Sequence, residues 1–264
     1  MAVVDIHTHV YPDKLAERAT ESVGDFYKVP MYRPGSVEGL LDSMRSGPVT
    51  HSVIYSVANK ASHVETINNF IAETCSEHDE FTGFMTLHQD YPDKEAEIAR
   101  ARSMGLVGIK LHPDSQRVDL DDERLLPVYE IARDEHIPLV IHCGDYRYDY
   151  SHPRRMKRVL RMFPGLVVDA AHFGGWSIYD YALEFLEEEN CYVDMSSAQC
   201  YLGPRRTLEL SKIYGIERVL FGSDFPMWSP EGEHRRFTEL WKDKGAIEQM
   251  TWHNAEEFLG KEVR

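Results

Sequence analysis

The sequence predicts an α/β chain folded as a (β/α)8 TIM barrel, and three observations carry that expectation. Eight short apolar runs alternate with amphipathic segments from one end to the other. The 264 residues match the length typical of that class. The first run lacks the Gly-x-Gly-x-x-Gly turn that a dinucleotide-binding sheet would place after it, which counts against an open doubly wound sheet. No Pro/Ser/Gly-rich linker, low-complexity run or internal repeat divides the chain, so residues 1–264 are expected to form one domain.

The strand candidates, in order, are "AVVDIHTHV", "HSVIYSV", "FTGFMTL", "LVGIKLHP", "IPLVIHCG", "LVVDAAHFG", "CYVDMSS" and "RVLFGSDFP". Between them, segments such as "SVEGLLDSMRS", "HVETINNFIAETCSEH", "DKEAEIARARSMG", "RLLPVYEIARDEH", "PRRMKRVLRMF", "YALEFLEEE" and "RRTLELSKIYG" repeat apolar residues at three- and four-residue spacing, the mark of helices with one buried face. The stretch "IEQMTWHNAEEFLG" predicts a C-terminal helix after the eighth unit. The segment after the first strand holds Tyr11, Tyr27, Tyr32 and Arg33 and is long for a barrel connection. A lid and a packed surface loop are both compatible with it.

Lys+Arg 29 against Asp+Glu 44 gives a net charge of -15, which argues against a phosphate-backbone partner. The basic cluster "HPRRMKRVLR" reads as one amphipathic helix with a solvated face. No apolar run approaches a membrane span, and residues 1–10 read as strand rather than as a leader. The four cysteines form no Cys-x-x-Cys pair, so reduced thiols in a cytoplasmic protein are expected, with Cys143 as packing. The expected partner is a small molecule; a homo-oligomer stays open.

In a barrel of this type, chemistry sits at the carboxyl ends of the strands. His7 and His9 end the first strand, Lys110 and His112 the fourth, His142 the fifth, His172 the sixth and Asp224 the eighth. Residues two apart on a strand share a face, about 7 Å apart. A lone His-x-His is compatible with a structural role as well as with a metal site. Five strands ending in His, Lys or Asp are harder to dismiss, because buried charge must be compensated by a cation or by internal pairing. Imidazole nitrogen and carboxylate oxygen suit Zn²⁺ or a similar divalent ion, and a site without thiolate leaves room for an open position.

Taken in order, "DIHTHVYP", "GIKLHP", "PLVIHCGD", "VVDAAHFGG" and "VLFGSDFP" resemble the amidohydrolase superfamily. The resemblance is strongest to its branch of metal-dependent hydrolases related to aminocarboxymuconate-semialdehyde decarboxylase. It implies that His7, His9, His142 and Asp224 hold one divalent metal, usually zinc, and that His172 acts on the substrate or its leaving group. The branch includes hydrolases, non-oxidative decarboxylases and hydratases. Lys110 stands where two-metal relatives such as dihydroorotases carry a bridging carbamylated lysine, with His172 then a ligand of the second ion. A plain ammonium anchoring a substrate carboxylate is the alternative, and one ion is favoured because the other motifs resemble the one-metal branch.

The expected reaction is hydrolysis of a small amide, lactone or cyclic substrate, carboxylated to suit Lys110, His112 and Arg147. Asp224 would move the proton of the attacking water, and His172 would polarise the carbonyl. Decarboxylation or hydration of an unsaturated or aromatic carboxylic acid is the competing reaction. A non-catalytic metal-binding protein is the remote third reading. Trp176, Tyr201 and Trp228 follow the sixth, seventh and eighth strands and are candidates for an aromatic rim.

Overall fold

The computed structural model describes residues 2–263. Its strands are β1 (Val4–His9), β2 (His51–Tyr55), β3 (Phe81–Thr86), β4 (Gly108–Leu111), β5 (Leu139–Ile141), β6 (Val168–Ala170), β7 (Val193–Asp194) and β8 (Val219–Leu220). Each of the eight predicted runs contains one of them. The chain divides into two compact units: one takes the residues up to Ser56, Thr74–Thr82 and those from Met195 onward, and the other takes Val57–Glu73 and Gly83–Asp194.

In the first unit, β1 runs parallel to β2, with Val4 opposite His51 and His9 opposite Tyr55. Along its other edge, Ile6 N donates to Phe221 O at 2.9 Å and His9 N to Phe225 O at 2.7 Å. β1 is therefore an interior strand, which explains why Val4 and Ile6 are buried together with Val10 just beyond it. Burying each such side chain contributes about 1.5–3 kcal/mol. The segment after β1 is a helix, Asp13–Tyr27, that apolar spacing does not announce. It buries only the small side chains of Ala16 and Thr20 and leaves Leu15 45 % exposed, so its inward face carries few large apolar residues. The following helix, Val37–Arg45, starts at Ser36, whose Oγ accepts from Gly39 N at 3.0 Å. The predicted C-terminal helix comes in two pieces, Lys244–Glu248 and Asn254–Leu259, around a π turn at Gln249–His253. Asn254 Nδ2 donates to Ile216 O at 2.6 Å and Val219 O at 2.7 Å, pinning that end to the start of β8.

In the second unit, β3, β4, β5 and β6 lie side by side in chain order, all parallel. Asp169 in β6 bridges to Tyr192 at the start of the β7 run. The helix Pro153–Met162 buries Met156, Val159 and Leu160. Its basic face is not simply solvated. Arg155 pairs with Asp119 at 3.1 Å and Asp121 at 2.6 Å, while Lys157 and Arg161 reach Glu189 at 3.3 and 2.9 Å. Among the described residues, no helix is long and apolar enough to cross a membrane.

Candidate active site

Strand alternation sets His7 and His9 on one side of β1, ring centroids 5.4 Å apart. Asp224 leaves the β8 run at φ 61°, and its N–H donates to His7 O at 2.8 Å. Its Oδ1 lies 3.6 Å from both His7 Nε2 and His9 Nε2. Two ligands at about 2.1 Å from a tetrahedral ion stand about 3.4 Å apart, so this spacing and this donor set fit a divalent metal. Tyr55 of β2 meets both rings edge-on, at 4.9 Å from His9 and 5.6 Å from His7. Ser196 Oγ is 3.1 Å from His7 Nδ1, and Ser197 Oγ donates to Asp224 Oδ2. Asp5 Oδ1 accepts from His7 N at 3.2 Å and Ser223 N at 2.9 Å, tying the segments that carry His7 and Asp224 together through the backbone.

The second unit holds the other predicted residues. His112 caps a short helix, its Nδ1 accepting from Ser115 N at 3.3 Å, and its ring stacks on His142 at 4.0 Å and 8°. His142 Nδ1 is 3.0 Å from His172 Nε2, while its Nε2 is 3.0 Å from Gly144 O and 3.5 Å from Asp114 Oδ2. Burial pushes the Asp114 carboxyl up to about 7, against the pull of its Ser151 hydrogen bond. His172 and Phe173 turn at φ 62° and 50°, and His172 N donates to Asp194 Oδ1 at 3.1 Å. Non-glycine residues in this region cost about 1–3 kcal/mol each and persist where surrounding structure imposes them. Arg147 is held by Asp145, with Nε and Nη2 at 2.9 and 2.6 Å, and lies 5.8 Å over the Trp176 ring.

Lys110 is fully buried. It is in register with Val140, and Val140 with Asp169, so all three project from one face. Burial, then the neighbouring Asp194 carboxylate, hold the Asp169 carboxyl well above its ordinary range, while the Lys110 charge draws it down.

His7, His9 and Asp224 thus gather in one unit, and His112, His142 and His172 in the other. Sequence reasoning did not single out Ser196, Ser197, Asp114, Asp169 or Asp194. For the two last, a signal was present: each is a lone carboxylate inside an apolar run, "VVDAAH" and "YVDMSS". The serines lie in a turn and Asp114 in the short helix Pro113–Gln116, where residue type alone says little.

Imidazoles and a carboxylate at the carboxyl ends of parallel strands form a candidate site for a divalent ion in an α/β chain. A family model described as Amidohydrolase matches residues 4–261, and the chain belongs to that family. A divalent metal is expected for it. Solved structures share the fold over the whole chain. An uncharacterised TIM-barrel protein from Bordetella bronchiseptica is 20 % identical, covering 98 % of this chain and 99 % of its own, with a TM-score of 0.77. A dihydroxybenzoic acid decarboxylase from Polaromonas sp., solved with bound manganese and the inhibitor 2-nitroresorcinol, is 13 % identical over 98 % and 97 %, TM-score 0.74. A putative 2-pyrone-4,6-dicarboxylic acid hydrolase from Pseudomonas putida is 18 % identical over 100 % and 99 %, TM-score 0.69.

Proposed function

We propose that the protein is a metal-dependent hydrolase of a small carboxylated amide, lactone or cyclic compound. In this reading His7, His9, His142 and Asp224 are ligands of one divalent ion, zinc in first place. The observation that carries it is the convergence of His7, His9 and Asp224 in a chain the amidohydrolase model matches almost end to end. When bound, the ion supplies Lewis acidity that makes water a nucleophile near neutral pH. Asp224 accepts the water's proton at Oδ1 and returns it to the leaving group, with Oδ2 held by Ser197. His172 donates to the carbonyl oxygen as negative charge builds there. Lys110 acts as an ammonium that anchors the substrate carboxylate. His112 and Arg147 are the substrate contacts. Cytoplasmic residence with reduced thiols belongs to the same reading.

The competing reaction is decarboxylation of an aromatic or unsaturated acid, favoured by the likeness to the manganese-bound decarboxylase. His172 or Asp224 would then protonate the carbon that loses carboxylate. The zinc- and manganese-loaded protein should be offered a panel of amides and lactones, including 2-pyrone-4,6-dicarboxylate, and a panel of dihydroxybenzoates. Label from ¹⁸O-water in the product supports hydrolysis. CO₂ release with solvent deuterium at carbon, and no turnover of amides or lactones, would replace it with decarboxylation. Changing His7 and His9 together to Ala should strip the ion and abolish turnover while the fold persists by circular dichroism. Elemental analysis finding the metal content unchanged would remove the ligand assignment.

A further inference from the structure

We infer that Ser196 and Ser197 are paired positioning residues, Ser196 aligning His7 and Ser197, locked by Trp228, aligning Asp224. The inference rests on the metal-centre reading above. Adjacent residues of an extended chain point to opposite faces, and the φ of 50° at Ser197 breaks that alternation just after β7. Two neighbouring hydroxyls, both buried, can then serve two ligands on the same side.

A neutral imidazole has one donor and one acceptor nitrogen. With His7 Nδ1–H donating to Ser196 Oγ at 3.1 Å, the lone pair falls on Nε2, the nitrogen that faces Asp224 Oδ1. Ser197 has a single proton. Trp228 Nε1 donates to Ser197 Oγ at 2.8 Å and occupies an acceptor site, leaving the Ser197 proton for Asp224 Oδ2. Met227 Sδ at 3.5 Å is a far weaker acceptor than a carboxylate. Asp224 needs such a hold because its own backbone has left the strand at φ 61°. Partners that orient metal ligands are worth about 10- to 100-fold in metal affinity.

Chelator competition with Zn²⁺ and Mn²⁺ on the full chain tests this, together with thermal midpoints of the metal-free proteins. The variants are Ser196→Ala, Ser197→Gly, Trp228→Phe and Ser197→Gly with Trp228→Phe. Glycine suits the backbone at position 197, so that variant removes the hydroxyl without adding strain. Each serine variant should bind Zn²⁺ about 10- to 100-fold more weakly with a metal-free midpoint close to wild type. Trp228→Phe should weaken it less, and the double variant should match Ser197→Gly alone, since the tryptophan acts only through that hydroxyl. Wild-type affinity in both serine variants overturns the inference, as does additivity in the double variant. Weakening that merely follows a fall in the metal-free midpoint also overturns it. If the wild-type protein itself binds neither ion, the metal centre falls and the brace with it.

Discussion

His51 opens β2, is 5 % exposed, and has its Nε2 2.8 Å from Thr82 Oγ1 while Nδ1 finds no partner. Burial, reinforced by Lys261, lowers its pKa from 6.5 to about 4. A depressed base binds fewer protons folded than unfolded. Its contribution is therefore intact above about pH 6.5 and is lost as pH falls towards about 4, by up to about 3 kcal/mol. His51→Gln should flatten that limb of the stability–pH curve. Denaturant titrations at pH 7 and pH 4.5 check it, and an unchanged pH slope in the variant would show that His51 is not the titrating group.

Among the elements, β3 and β4 meet most tightly where Phe84 lies opposite Gly108. A Cβ on Gly108 would sit 2.4 Å from the Phe84 ring, so Gly108→Ala must displace a buried aromatic. It should cost about 1–3 kcal/mol by urea titration while leaving the His7–His9–Asp224 group intact. Gly144, at φ 81°, is less forgiving, since a Cβ there would come 2.5 Å from Gly175 Cα, a backbone atom. Gly144→Ala should disturb His142, whose Nε2 meets Gly144 O, and under the proposed ligand set weaken divalent-metal binding in a chelator assay. The strands were legible in the sequence because burial on both faces makes them continuous apolar runs. The helix Asp13–Tyr27 was not, because the side chains it buries, Ala16 and Thr20, are small and leave no run of large apolar residues. The strand-end histidines and Asp224 stood out as polar endings of apolar runs. Ser196 and Ser197 did not, because their importance comes from a backbone turn at Ser197 that residue type does not encode.

For the whole molecule, a net charge of -15 sets acidic side chains against one another. The exposed arginine of the helix Pro153–Met162, Arg161, cannot offset this through its pair with Glu189, since such surface pairs are worth about 0–1 kcal/mol each. Screening should therefore win: the metal-free midpoint should rise by a few degrees between ~0.01 M and ~0.15 M salt, read by calorimetry. A fall would mean that the ion pairs dominate. The bond from Ser223 N to Asp5 Oδ1 spans 218 positions and joins the segment that bears Asp224 to the one that bears His7 and His9. During synthesis the two histidines emerge more than two hundred residues ahead of their carboxylate partner. Over that interval a nascent chain displays a His-x-His pair without the third donor, and under the proposed ligand set it can hold an ion only loosely. Under the proposed ligand set, an ion is held by all three donors only after the segments bearing Asp5 and Ser223 have joined, so metal capture is coupled to that long-range closure.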